Sequence, residues 1–193
     1  MSRRDCVFPE FPLASVLRLK QENAFTSTSA GGLRNVLKND VEVSQGFDPS
    51  KPPNPKPKNS KFTAIWDTGA TNTTITAAVA KACGLVPTGV VEVHTVGGKQ
   101  TVNKYLVNVT LPNHLCCVGV PVAEGKVFGA DVLIGMDIIT QGDFAVTNKG
   151  GKTMFSFRYP SKEHIDFVWR GQRQSQPRRP THPRKKRSKK SRR

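Results

Sequence analysis

Asp67-Thr68-Gly69-Ala70 closes the β-branched and aromatic run KFTAIW and places a carboxylate at the end of an apolar strand. A tetrad of the form Asp-Thr/Ser-Gly-Ala/Ser arises by chance in roughly one chain in a hundred of average composition. Alone, it reads equally as an ordinary strand-ending turn and as a group set up for acid–base chemistry. A second element follows further along: Val132-Leu133-Ile134-Gly135-Met136-Asp137, apolar residues leading into a glycine and a short helical-looking stretch. The chemistry open to such a carboxylate is proton transfer to and from water. Two carboxylates held about 3 Å apart cannot both ionise, so they share one proton and can act as base and acid together. Such a pair titrates as a unit. Gly69 lets the backbone turn tightly and approach a neighbouring loop without a Cβ clash.

The elements that must position these residues are mostly strands. NVLKNDVEV (35–43) alternates loosely, as a strand pair or one bent strand, and the polar stretch Thr26 to Gly32 reads as loop. VVEVHTV, KYLVNVTL, VGVPVAE and ADVLIGM are short β-branched runs, separated by turn signals at Gly97-Gly98, Pro112-Asn113 and Gly125. DFAVTN and TMFSFR are joined by the hairpin-like turn Lys149-Gly150-Gly151. One segment, Ile75 to Leu85, has helical spacing at Ile75, Val79 and Ala82, with Gly84 as its stop and Pro87 beyond. DPSKPPNPKPKNS (48–60) holds five prolines and no apolar residue, the composition of an extended linker. The pattern is all-β with one or two short helices over residues 33–160.

AIWDTGATNTTIT, HTVGGKQTV and DVLIGMDII stand in this order along the chain. Together they resemble the single-domain, retroviral-type (retropepsin-like) aspartic proteases. The segment AAVAKACGL (77–85) is similar to a helix in the retroviral-like domains of ubiquitin-shuttle proteins and of bacterial relatives. The resemblance implies a closed-barrel acid-protease fold and an aspartic-type endopeptidase without metal or organic cofactor. Asp67 would be the catalytic carboxylate. Thr68, through its hydroxyl, would stiffen the dyad, and Gly69 and the small Ala70 would support it. Leu133, Ile134 and Gly135 would be the second apolar-Gly motif. Gly97 and Gly98 would form the tip of a flap over substrate, where Lys99 and Gln100 depart from the more apolar tips of many relatives.

The chain has one Asp-Thr-Gly and no Asp-Ser-Gly, whereas two-lobed pepsin-like enzymes carry two motifs in one longer chain. Asp137 is not a substitute, because it follows Gly135 where the family places a short helix. Asp131 and Asp143 lack a Thr-Gly sequel. The resemblance therefore implies a homodimer with Asp67 of each subunit on a two-fold axis. It also turns the Pro-rich 48–60 stretch from a linker into a loop within one domain. TMFSFR reads either as a strand of the dimer-interface sheet or as an ordinary edge strand.

Composition bounds the rest. The chain has 193 residues and a formal charge of +16. Twelve of its 30 Lys and Arg lie from Arg170 to Arg193, with no acidic residue among them, which leaves +4 on residues 1–169. The expected division is an N-terminal extension (1–32), a protease domain (33–160) and a disordered basic tail (161–193). The tail suits non-specific nucleic acid or another polyanion through residues 170–193, or no partner at all. No run of 18 apolar residues exists, so no spanning helix and no membrane partner are expected. The four cysteines form no disulfide framework, and the pattern His114-x-Cys116-Cys117 reads as strand residues rather than a metal site. An intracellular, cytoplasmic protein is expected, nuclear if the source is eukaryotic. The rival to a peptide- or protein-cleaving enzyme is a non-catalytic dimeric binding module of the same fold, with a polyanion-binding tail.

Overall fold

The structure, a computed structural model, describes residues 23–95 and 98–168. Contacts divide the chain into Met1–Lys162 and Glu163–Arg193. The first unit contains strands β1 (Ala24–Thr28), β2 (Leu37–Gln45), β3 (Ser60–Trp66), β4 (Thr74–Ile75), β5 (Gly89–Thr95), β6 (Gly98–Leu111), β7 (Leu115–Glu124), β8 (Val132–Ile134), β9 (Asp143–Thr147) and β10 (Met154–Arg158). It also contains two short helices, α1 (Ala77–Cys83) and α2 (Met136–Ile139). Of the second unit only residues 163–168 are described, and all are exposed. The basic residues 170–193, and with them the polyanion expectation, lie outside the described residues.

Six strands close on themselves in the order β2-β3-β8-β4-β7-β6, because β6 pairs back onto β2. The closed-barrel expectation holds. Period-two alternation fills the interior: Val41 and Val43 from β2, Val107, Val109 and Leu111 from β6, and Val132 and Ile134 from β8 are all at most 2% exposed. The stretch around residue 40 is one bent strand, pairing with β3 through Leu37–Val43 and with β6 through Glu42–Gln45. The Pro-rich segment joins β2 to β3, which pair antiparallel, so it is a loop of the barrel. Helix α1 stops as its sequence indicates, at Gly84 in the left-handed region (φ 62°).

A second sheet of three strands, β1-β10-β9, packs its aromatic face on the barrel. Phe25, Phe155 and Phe157 lie with Trp66 in one cluster, with ring centroids 5.1–6.4 Å apart. Two readings change here. The polar Thr26 to Gly32 stretch begins in strand β1, and the stretch expected as an N-terminal extension (1–32) therefore contributes a strand to the folded unit. Its signal is faint because one of its apolar residues, Phe25, reaches the core while Thr26 and Thr28 are exposed. TMFSFR is neither an edge strand nor free to pair across an interface: β10 is central, hydrogen-bonded to β1 on one side and β9 on the other.

Candidate active site

Asp67 follows the last residue of β3. That strand runs parallel to β8, pairing Ala64 with Val132, Ile65 with Leu133 and Trp66 with Ile134. The ladder continues one step further, as Asp67 N–H donates to Ile134 O at 3.0 Å. The two motifs recognised in the sequence therefore lie side by side and leave the barrel at the same level. Beyond it they stay bonded. Met136 N–H donates to Ala70 O at 2.8 Å and Asp137 N–H to Thr71 O at 3.1 Å.

Gly135 is small for a steric reason. A Cβ there would stand 2.6 Å from the Asn72 carbonyl carbon and 2.7 Å from its oxygen. Backbone cannot yield as a flexible side chain would, so only glycine allows the loops to touch. At Gly69, a Cβ would press on the Asp67 carboxylate at 3.2 Å. The Gly69 N–H instead donates to Asp67 Oδ1 at 2.8 Å, and Ala70 N–H closes the turn on Asp67 O at 3.2 Å. That bond fixes one carboxylate oxygen and leaves the other available. Asp67 is half-buried, while Thr68 and Gly69 are exposed.

A cleft of about 370 Å³ opens beside Asp67 and Thr68, walled by Val36, Leu37, Ile65, Trp66, Phe144 and Val146. Trp66 and Phe144 stack at 5.2 Å and 7°, and the indole N–H donates to Asn39 Oδ1 at 2.5 Å. The cleft thus combines one titratable group with mainly apolar walls, a common design for a site that binds side chains and positions one reacting group. A separate cavity of about 300 Å³ lies under the Pro-rich loop, against Phe47, Pro57, Cys116 and Val118, and shares no residue with the cleft.

Asp67, Thr68, Gly69, Ala70, Ile134 and Gly135 are brought together; Leu133 is held in β8 between Ile65 and Thr74. Gly97 lies outside the described residues. Gly98 opens β6 opposite Thr95. This end of the β5–β6 hairpin extends past Lys104, the residue from which β6 begins to pair with β7. Sequence reasoning missed two groups. Thr73, fully buried, donates its hydroxyl to Asp137 Oδ1 at 2.7 Å and accepts Gly135 N–H at 3.2 Å. Asp137, set aside as a second catalytic acid, accepts this hydroxyl and the Thr73 N–H at 2.9 Å. An acidic residue in the first turn of a helix, just past a glycine, was the available signal. Among the described residues no group of three His, Cys, Asp or Glu could hold a metal ion, and no helix is long and apolar enough to cross a membrane.

Residues 57–141 match the sequence profile of a family described as "gag-polyprotein putative aspartyl protease". No curated protein matches the chain significantly. Among solved structures, a retropepsin-like aspartic protease from Rickettsia conorii is similar at 12% identity, with a TM-score of 0.42 over 73% of this chain and 98% of that one. The simian foamy virus (mac) protease is similar at 17% identity, with a TM-score of 0.34 over 51% of this chain and 89% of that one. The matched segment holds both loops of the site, from β3 through α2, and spans somewhat under half of the chain.

Proposed function

We propose that the chain is one subunit of an aspartic endopeptidase, active as a homodimer in which Asp67 and its symmetry mate share a proton and activate water. One observation carries this reading. The Asp67 carboxylate is half-buried at a cleft mouth, one oxygen is held by Gly69 N–H, and the residues beside it, Thr68 and Gly69, face outward. A lone Asp on such a turn is half a site, and exposed Thr68 and Gly69 mark the side from which the other half would come.

In the dyad the ionised carboxylate removes a proton from water while the protonated one donates to the scissile carbonyl oxygen. Gly69 N–H biases which Asp67 oxygen stays an acceptor. Thr68 would bond the partner loop and Ala70 would leave room for the crossing. Val36 and Val146, each 42% exposed at the cleft rim, would be covered by the partner or by substrate. The Gly97–Gly98 hairpin would close over an extended peptide and add strand-type hydrogen bonds to it. A cytoplasmic setting suits the thiols: Cys83, Cys116 and Cys117 are all free. Burial raises the pKa of each of the three, that of Cys117 to about 12, which keeps them as unreactive thiols.

The test is cleavage of a peptide library by the full chain and by Asp67→Asn, from mildly acidic to neutral pH, with mass in solution measured in parallel. Asp67→Asn should lose roughly 10²–10⁴-fold in kcat/KM while remaining dimeric. Equal cleavage by both proteins, or cleavage by a strict monomer, would defeat the shared-dyad assignment.

A further inference from the structure

Beside the junction of the two loops stands the Asp137 carboxylate. Its Oδ2 accepts Thr73 N–H at 2.9 Å, and its Oδ1 accepts the Thr73 hydroxyl at 2.7 Å and Ile138 N–H at 3.0 Å. With its proton committed to Asp137, the Thr73 hydroxyl oxygen faces Gly135 N–H as an acceptor at 3.2 Å. The carboxylate therefore sets the direction of a bond that it does not itself make. Hydrogen bonds to an ionised acceptor are roughly twice as strong as neutral ones.

The consequence reaches Asp67 in one further step. The peptide groups flanking Gly135 are both bonded to the Asp67 turn, Ile134 O to Asp67 N–H and Met136 N–H to Ala70 O. Asn72 backbone occupies the place that a Gly135 Cβ would take, so the two loops are closely apposed here. Asp137, Thr73 and Gly135 thus form a chain of contacts ending on the turn that carries the carboxylate. We infer that Asp137 is a positioning residue: through Thr73 and Gly135 it holds the Asp67 turn at the height and angle at which two Asp67 carboxylates can meet. The inference rests on the endopeptidase reading for its role in the reaction, and on the hydrogen bonds alone for its hold on Asp67. An asparagine at 137 would keep one acceptor oxygen and turn an NH2 donor toward Thr73, which already donates twice to this side chain.

Three full-chain variants separate positioning from simple stability. Thr73→Val removes the hydroxyl at nearly constant volume, Asp137→Asn removes one acceptor, and Thr73→Ser keeps the hydroxyl. Circular dichroism establishes that each is folded at the assay temperature. On a peptide that the wild type cleaves, Thr73→Val and Asp137→Asn should lose roughly ten- to a hundredfold in kcat with KM within about twofold, while Thr73→Ser stays within about threefold of wild type. A folded Thr73→Val or Asp137→Asn protein whose kcat is within about twofold of wild type overturns the inference, as does a Thr73→Ser loss equal to that of Thr73→Val. Should either main variant be unfolded, Asp137→Glu, which keeps the charge and moves it by one methylene, carries the same kcat expectation. Carbon-13 NMR of labelled aspartate in the full chain supplies a readout without catalysis. The Asp67 titration midpoint should move in Thr73→Val and Asp137→Asn and stay in place in Thr73→Ser; no movement in any of them overturns the inference. If wild type and Asp67→Asn both cleave nothing, the endopeptidase reading falls and the titration alone decides the hold on Asp67.

Discussion

Gly135 and Gly98 each stand in a loop of the proposed site, yet they are glycines for opposite reasons. Gly135 has ordinary extended backbone (φ −95°) and no room: Asn72 backbone lies where its Cβ would be. Gly98 has room and unusual backbone: nothing lies within 4 Å of its missing Cβ, but φ is +102°. The first is a contact glycine in a closed hydrogen-bonded base, the second a turning glycine in a hairpin that extends past the barrel. A base that must hold a carboxylate to within a fraction of an ångström needs packing on every side. A hairpin that must open and close needs the reverse.

The contrast is broken most severely by adding one methyl group to the base. In Gly135→Ala the new carbon meets backbone at 2.6 Å, so one loop must shift. Chemical denaturation should show a loss of about 3 kcal/mol, in the upper part of the overpacking range, and cleavage should vanish with it. A stability within about 0.5 kcal/mol of wild type would mean that the loops are not in contact.

Acid should act neither on the base nor on the hairpin but on the second sheet, β1-β10-β9. Asp143, at the start of β9 just beyond α2, accepts hydrogen bonds from Ser161 Oγ at 2.5 Å, Lys162 N–H at 2.9 Å and the Arg158 guanidinium, Nε at 2.9 Å. The first of these bonds is the largest cause of a carboxyl pKa held well below its ordinary 3.8, followed by the Lys162 amide and Arg158. A carboxylate depressed on folding stabilises the fold above its unfolded pKa near 3.9, and that contribution drains away as pH falls towards the folded value. The melting temperature of wild type should therefore exceed that of Asp143→Asn at pH 6, with the gap narrowing below about pH 4. A gap constant from pH 6 to pH 2 would exclude a titrating role for Asp143.

How much of this was legible depends on which physics each feature uses. The barrel was readable because Val41/Val43, Val107/Val109 and Val132/Ile134 alternate in their strands, and period two is a local signal. The base was readable because Asp67-Thr68-Gly69-Ala70 and Ile134-Gly135 are rare words whose glycines have one use. Strand β1 was hidden by its Thr and Ser, which sit in a sheet through partners more than a hundred residues away. The Thr73–Asp137 bond was hidden for the same reason, because 64 residues separate two unremarkable polar side chains that only the β3–β8 pairing brings together. Trp66 could be seen as apolar, but its stack on Phe144 depends on where the second sheet docks.

Substitution at Gly98 should have the opposite signature to that at Gly135. Gly98→Ala forces a φ of +102° that an L-residue adopts only under strain, at a cost of about 1 kcal/mol. Because space around the site is open, the hairpin can relax instead of transmitting the strain to the core. Denaturation should register little, while kcat/KM should fall several-fold if this hairpin closes over substrate. A full-sized loss of stability with unchanged cleavage would reverse the assignment of the two glycines.

The smallest effect belongs to the charge beside that turn. Lys99 Nζ and Glu92 Oε1 are 2.8 Å apart across the hairpin, with side chains 64% and 52% exposed. Water and salt screen such a pair, and holding two long side chains together costs entropy, so Lys99→Ala should change stability by less than about 0.5 kcal/mol. Any change in cleavage must then come from contact with substrate. An acidic residue in the peptide opposite the hairpin should make wild type faster than Lys99→Ala at low salt, with the difference shrinking as salt is raised. A neutral peptide should show no difference between the two. If Lys99→Ala instead destabilises the fold by more than about 1 kcal/mol, the hairpin is packed at this residue, and the distinction between a rigid base and a movable hairpin fails there.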